Sequence, residues 1–447
     1  MKARTEFLFY VSVGVGMALA TSSFTVVSGL FQILTSPWVL QLAVLLAGVF
    51  CAVIALSIAE LASMFPSAPG VRTYLKAAFG PRFSLVLVYL YLIFTVLMAG
   101  VEGYMFALVF KAAFPSVPPT LTALVLMGGV IAINGVGLEL PRDLQMATTY
   151  ASVLLLLGAS AYGFIVAPAP LGTVVTLSEG VSQLPQLPAA VGMAIFLYMG
   201  FEWAAPVGIK PKAYERKIPI SLPVCVAVLS AIYILFVLAL PLHVDRATVA
   251  GSSVPHVLYF EAMFGRAGTY VALVLSFGAV VSTFNAGIMG GSRLVFMLAR
   301  EGLLPAWCGA TSAKTGAPIG GVLSLGGVAC VSALVVSHYE LQLVLALISA
   351  TIMCVIYAAF MAAALSLRKS RPQARRSYRT PVFPWLQWAV AIVLPCLGLG
   401  TLFSVPEQGL RPVFWMLGCL VTALVSTEWS LRFVAVKEQR GSSALAP

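Results

Sequence analysis

Charged side chains and groups typical of metal sites are scarce in this chain. Only 9% of its 447 residues are charged and 60% are hydrophobic, whereas a soluble protein of this length needs a far more charged surface. Its 3 histidines show no metal-ligand spacing, and its 7 cysteines include no C-x-x-C pair. We therefore expect no metal site or redox centre. The composition predicts an integral membrane protein.

Long apolar runs recur along the whole sequence. Each is about 20 residues or longer, which is enough to cross a hydrocarbon core of about 30 Å. We predict twelve transmembrane helices, with approximate bounds 7–34, 38–64, 83–110, 119–138, 144–167, 189–209, 220–242, 267–297, 318–337, 341–367, 384–404 and 411–435.

The net charge of +11 does not indicate nucleic acid, because the basic residues are segregated. With the N-terminus inside, all of the 26 lysines and arginines except Lys111, Arg246, Arg266 and Arg411 fall in cytoplasmic segments. This is the bias of the positive-inside rule, and it agrees with an even number of spans. We expect a multi-pass protein of the cytoplasmic membrane, with both termini cytoplasmic and the lipid bilayer as its surroundings. A nucleic-acid partner is not expected.

Two predicted spans carry features that interrupt a helix at mid-depth. The sixth contains Gly200, the ionisable Glu202 and Pro206. A broken helix exposes backbone groups that lipid cannot satisfy, so it survives only where it lines a protein cavity. In the first span, the small residues from Ala20 to Ser23 indicate either close helix packing or a second break with N–H donors for an anion. A break at the head of each half points to an inverted-repeat transporter.

Other polar residues in the spans have open interpretations. Glu102 in the third span is either a functional carboxylate or part of an outward vestibule. Glu60, near a membrane edge, is expected to cap a helix or pair with a basic residue. Ser282 and Thr283 in the eighth span either coordinate a small cation or bond back to carbonyls of the preceding turn.

Three motifs, in order, resemble the amino acid–polyamine–organocation permeases. The second span and its loop carry Ala59-Glu60-Leu61, then Phe65-Pro66-Ser67-Ala68-Pro69-Gly70 and Phe79-Gly80-Pro81. The sixth carries Phe196-x-Tyr198-x-Gly200-Phe201-Glu202, followed by Ile218-Pro219. The eighth carries Ser292-Arg293, Ala299-Arg300-Glu301-Gly302-Leu303-Leu304-Pro305 and Lys314-Thr315-Gly316-x-Pro318. The resemblance covers about the first 370 residues.

This resemblance implies an all-α fold with a five-plus-five inverted repeat of the leucine-transporter type, broken helices 1 and 6, two peripheral helices, and transport by alternating access. The implied core is 1–370, with helices 1–5 at about 7–167 and helices 6–10 at about 189–367. Residues 371–447 then hold a basic loop, helices 11 and 12, and a short cytoplasmic tail.

The resemblance also implies where a substrate binds. Its carboxylate would meet backbone N–H groups around Ala20 to Ser23, its amine would meet carbonyls of helices 1 and 6, and Phe201 would act as a gate. Together with the candidates above, the substrate-binding set is Ala20, Thr21, Ser22, Ser23, Phe24, Glu102, Phe196, Tyr198, Gly200, Phe201, Glu202 and Trp203.

The sequence departs from the family pattern at informative positions. Ala20-Thr21-Ser22-Ser23-Phe24 replaces a glycine-rich Gly-Ser-Gly-Ile-Phe, which predicts a narrower pocket, and Lys210 stands where a carboxylate is usual. Ser152 occupies the place of a lysine found in proton-coupled relatives, and serine cannot titrate near neutral pH. The remaining options are substrate exchange, sodium, or protonation of Glu102 or Glu202. The coupling-ion candidates are Ser152, Ser282 and Thr283.

We therefore predict a secondary active transporter, either a permease or an exchanger, for an amino acid or related small amine. A cationic amino acid or polyamine antiporter is the alternative within this class. A transceptor or a non-transporting partner subunit is the competing class. No nucleophile–base pair or phosphate loop indicates an enzyme, and no cofactor is expected apart from Na⁺ or H⁺ as a coupling ion.

Overall fold

The computed structural model describes residues 2–66, 70–136, 142–167, 180–206, 213 and 215–443. Within these ranges the chain forms helices, turns and loops, without a strand. The α-helices are α1 Lys2–Ala18, α2 Thr21–Ile33, α3 Pro37–Met64, α4 Val71–Phe79, α5 Pro81–Ala113, α6 Pro119–Gly135, α7 Arg142–Ile165, α8 Leu187–Ala194, α9 Lys217–Ala239, α10 Arg246–Gly251, α11 Pro255–Phe264, α12 Arg266–Arg300, α13 Ile319–Tyr339, α14 Gln342–Ser370, α15 Trp385–Thr401 and α16 Arg411–Ser443.

The helices confirm an all-α protein with many membrane-length segments. Among the described residues, 9 helical segments are long and apolar enough to cross a membrane, and α1 with α2 forms a further candidate bent by 51°. Two more apolar helices, α6 and α15, are shorter at 17 residues each. The predicted spans 119–138 and 189–209 both run on into residues outside the described part of the chain.

Burial separates the centre of the bundle from its edge. In α14, 83% of the most apolar window is buried, whereas in α16 the share is 17%. The low buried share of α16 fits the peripheral position expected for the last two helices. Helix α15 packs closely on α14, because Gly398 lacks a side chain: a Cβ there would lie 2.8 Å from the Cβ of Cys354. The carbonyl of Gly398 also accepts a hydrogen bond of 2.8 Å from the Thr351 hydroxyl.

Ion pairs at one end of the bundle join α3 to α14, and α4 to the residue that follows α12. The buried Glu60 accepts two hydrogen bonds from Arg368, of 2.7 and 2.6 Å, and a third of 2.8 Å from the N–H of Thr380. This pairing confirms the expectation for Glu60. Glu301 pairs with Arg72 and Lys76. Partial burial opposes ionisation of Glu301, but these two partners hold its pKa below the ordinary value.

Replacing Glu60 by glutamine is expected to destabilise the protein. The substitution leaves Arg368 facing a neutral amide, and breaking a buried pair costs about 3–5 kcal/mol. Glu428→Gln is the matched control, because Glu428 and its partner Arg82 are largely exposed and such pairs contribute at most about 1 kcal/mol. Thermal unfolding in detergent measures both. Equal melting temperatures for the two variants would contradict the structural role of Glu60.

Candidate functional site

Helix one is broken in the middle of the bundle. Helix α1 ends at Ala18 and α2 begins at Thr21. Ala20 between them is extended, with φ −95° and ψ 154°. The break brings the C-terminal carbonyls of α1 close to the N-terminal N–H groups of α2. A partial negative charge and a partial positive charge therefore lie side by side in a buried place.

The carboxylate of Glu102 lies on the N-terminus of α2. The N–H of Thr21 donates to Oε1 at 2.7 Å, and the N–H of Ser22 donates to Oε2 at 2.8 Å. Glu102 lies in the C-terminal half of α5 and is 1% exposed. An anion at a helix N-terminus is stabilised by both the free N–H groups and the helix dipole. The break and Glu102 thus form one unit.

The sixth span is also interrupted, and its break contacts the first. Met199 is extended with ψ 134°, and Gly200 is left-handed with φ 114°. Two short 3₁₀ helices, Ile195–Tyr198 and Phe201–Ala204, flank this point. A Cβ on Gly200 would lie 2.9 Å from the backbone N of Ala18. The two interruptions therefore cross with backbone against backbone, and only glycine fits at the crossing.

Glu202 stabilises the second break. One oxygen accepts hydrogen bonds from the N–H of Gly200 at 3.1 Å and from the hydroxyl of Tyr357 at 2.8 Å. The other oxygen accepts a hydrogen bond of 3.2 Å from the hydroxyl of Tyr91. The ring of Tyr91 stacks on Trp203 at a centroid distance of 5.6 Å. This arrangement fixes a buried carboxylate beside the crossing.

A cavity of about 170 Å³ opens next to Glu202. Aromatic rings, the Glu202 carboxylate and the side chain of Arg293 line it. A cavity that is mostly apolar, with a few fixed polar groups, is the usual form of a small-molecule site. Its principal lining residues are Tyr74, Tyr91, Glu202, Trp203, Arg293 and Phe360.

Hydroxyl groups join helix one to α7 and α12. The amide of Gln145 donates to the Ser282 hydroxyl at 2.5 Å, and Thr149 lies 3.1 Å from the same hydroxyl. Thr283 donates to the carbonyl of Gly16 at 3.1 Å. Gly16 permits this approach, because a Cβ there would lie 2.0 Å from the Ser282 oxygen. The cluster locks the first half of helix one against α12.

Comparison with known families decides the class of this protein. A family model described as amino acid permease matches residues 7–425, which is nearly the whole chain. The chain belongs to the amino acid permease family. This confirms the resemblance to the amino acid–polyamine–organocation permeases, and it means that the protein is a membrane transporter and not an enzyme.

Curated relatives of this permease are distant in sequence. An uncharacterized amino acid permease, YecA of Bacillus subtilis, is 24% identical, over 59% of this chain and 61% of its own length. L-asparagine permease 1 of Mycobacterium bovis is 24% identical over 70% of this chain and 65% of its own length. The low-affinity putrescine importer PlaP of Escherichia coli is 23% identical over 66% of each chain. This chain thus spans about 61% of the length of the Bacillus subtilis permease.

A solved structure of similar fold supports the architecture of the permease. The crystal structure of the Eremococcus coleocola manganese transporter covers 96% of this chain and 95% of its own, with a TM-score of 0.62 and 12% identity. At that identity the likeness concerns the fold alone.

The structure places the predicted substrate-binding residues at or near the two breaks, and some of them pack into the core. Thr21 and Ser22 donate to Glu102, with Ala20 and Ser23 beside them at the first break, and Gly200, Glu202 and Trp203 lie at the second break. Four further candidates pack within the buried core. Phe24 stacks on His256, Phe196 is 5% exposed, Tyr198 donates to the carbonyl of Val44, and the ring of Phe201 lies against Tyr357.

Ser152 and Lys210 are the positions where the sequence departs from the family pattern in a charged residue. The hydroxyl of Ser152 is buried and faces Gly278: a Cβ on this glycine would lie 3.1 Å from it. Ser152 makes no contact with Ser282 among those recorded for the described residues. Lys210 lies outside the described residues.

Three polar residues of the site were not singled out from the sequence. Tyr91 and Tyr357 donate hydrogen bonds to Glu202, and Gln145 donates a hydrogen bond to the Ser282 hydroxyl. One signal existed for Tyr91. It precedes Glu102 by eleven residues on α5, which is close to three helical turns and places both on one face.

Proposed function

We propose that this permease is a secondary transporter that moves an amino acid or related small amine across the cytoplasmic membrane by alternating access. The observation that carries the proposal is the crossing of two interrupted helices at Ala18 and Gly200. Broken helices at one buried point place backbone groups outside the regular helical hydrogen-bond pattern, where a small solute can bind. The two halves of each helix can also move separately about the break.

We further propose a topology of twelve spans, formed by the ten candidates and the two shorter helices α6 and α15. Residues 1–370 would contain two five-span repeats, each headed by a broken helix, and residues 371–447 would add the last two spans. The distribution of basic residues supports cytoplasmic termini. A pair of interrupted helices in corresponding positions supports the repeat.

The substrate class rests partly on relatives. Their names include both L-asparagine and putrescine. Both solutes carry an amine, but only asparagine carries a carboxylate. Glu202, the aromatic rings and the volume of the adjacent cavity suit a small solute that carries an amine.

A transceptor would keep this fold and bind the solute without moving it. Labelled amino acids and amines added to proteoliposomes separate the two functions. A transporter fills the internal volume, so the label exceeds one molecule per protein and is lost when the vesicles are made leaky. Saturation at about one molecule per protein, unchanged by permeabilisation, would support the receptor and contradict our proposal.

We expect transport to be independent of sodium. The Ser282 hydroxyl accepts a hydrogen bond from the Gln145 amide, and the Thr283 hydroxyl donates to the carbonyl of Gly16, so both hydroxyls and this carbonyl already have partners within the protein. Uptake rates in sodium and in choline buffers should agree within about twofold, because no cation ligand is lost. Ser282→Ala tested in both buffers is the matched control. A clear fall in choline for the native protein, absent in Ser282→Ala, would instead support sodium coupling.

A further inference from the structure

We infer that the substrate of this permease is an amine without a carboxylate, because Glu102 already occupies the anion-binding end of helix α2. The inference rests on the proposed transport function and specifies its substrate class. It follows from the partners of the backbone groups at the first break and from the charge around them.

The first N–H groups of α2 all have acceptors within the protein. Those of Thr21 and Ser22 donate to the two oxygens of Glu102, and that of Ser23 donates to the carbonyl of Ala20 at 3.1 Å. A helix N-terminus binds an anion through these free donors. A substrate carboxylate therefore finds none of the three available while Glu102 remains in place.

The charge at the crossing also favours a cation. No salt bridge among the described residues involves Glu102 or Glu202, and both are at least 95% buried. The carbonyl end of α1 lies at the first break, where the backbone of Ala18 is close to Gly200, and its partial negative charge adds to that of the carboxylates. An ammonium group brought to this place offsets buried negative charge, whereas a second carboxylate adds to it.

Arg293 is the basic side chain that lines the neighbouring cavity, and it lies away from the first break. It follows Thr283 on α12 by ten residues, which is about 15 Å along a helix. Thr283 itself contacts Gly16 just before the break. The exposed Arg293 is thus set apart from the first break and does not replace the donors that Glu102 occupies.

Matched pairs of solutes test the inference. Putrescine and ornithine, cadaverine and lysine, and agmatine and arginine differ only by a carboxylate. Binding to purified native permease, measured by thermal shift and by displacement of labelled amine, should favour the amine of each pair by at least about tenfold, the scale of one charge-assisted hydrogen bond. Glu102→Ala should narrow or reverse the preference, because it frees two N–H donors. Glu407→Gln, at an exposed carboxylate, should change nothing.

The outcomes separate this inference from the proposed function. Equal or tighter binding of ornithine, lysine and arginine to the native protein would overturn it, as would binding of neither class. The native comparison decides this even if Glu102→Ala fails to fold. Flux of amino acids alone would reject the inference and leave transport intact. Binding of amines without any flux would reject transport and leave the inference intact.

Discussion

Gly200→Ala is expected to cause a severe loss of transport. An alanine at φ 114° is strained by about 1–3 kcal/mol, and its Cβ would lie 2.9 Å from both the backbone N of Ala18 and the carbonyl C of Met17. Backbone atoms cannot move aside as a flexible side chain can, so the overlap adds about 1–3 kcal/mol. Together these effects predict uptake at least about thirtyfold below the native rate.

A control separates the crossing from general backbone strain. Gly302 also has a positive φ, of 76°, but a Cβ there would meet no atom within 4 Å. Gly302→Ala therefore carries the strain without the overlap, and it should retain much more uptake than Gly200→Ala. Uptake into proteoliposomes and melting temperature measure both variants. Native uptake by Gly200→Ala would show that the two helices do not cross as described.

The second large effect is expected for Glu202→Gln. The carboxylate accepts three hydrogen bonds, from Gly200, Tyr91 and Tyr357, whereas a glutamine amide offers one acceptor oxygen and two donors. The change also removes the negative charge beside the cavity. Loss of one charge-assisted hydrogen bond, about 1.5–3 kcal/mol, predicts a fall in uptake efficiency of about ten- to a hundredfold.

Tyr357→Phe is the matched comparison for Glu202→Gln. It removes one hydroxyl donor and keeps the carboxylate with its other two partners, so its effect should be clearly smaller. The concentration of folded protein, measured by gel filtration, should remain similar for both variants. Native uptake kinetics in purified Glu202→Gln would remove Glu202 from the proposed site.

Local sequence patterns predicted the interruptions because their causes are local. The hydroxyl residues Thr21 to Ser23 and a glycine at 200 have a lower helix propensity than alanine or leucine wherever they occur. The observed breaks lie at Leu19–Ala20 and Met199–Gly200. The apolar runs likewise indicated the helices, since burial in lipid requires them.

The partners of the buried carboxylates depend on tertiary packing, which the sequence does not display. The position of Glu102 along its span left a vestibule and a functional site equally open. In the fold it contacts Thr21 and Ser22, some eighty residues away in the chain. Such a contact depends on how α5 is rotated against α2, and neither helix carries a local signal for that rotation.

Gln145 shows the same limit for the coupling site. Sequence spacing drew attention to Ser152, because a lysine takes that position in relatives. In the structure the side chains that reach Ser282 are those of Gln145 and Thr149, two turns and about one turn earlier on α7. Helix α7 presents all three residues on one face, so only the packing against α12 distinguishes them.

Counterflow tests most directly whether the crossing of the broken helices works as a carrier. Proteoliposomes loaded with a high concentration of unlabelled putrescine are diluted into a trace of labelled putrescine, with no ion gradient. A site exposed alternately to the two sides predicts that internal label rises transiently above its equilibrium level and then declines. A monotonic approach to equilibrium, or label that never enters while the amine still binds, would contradict the account.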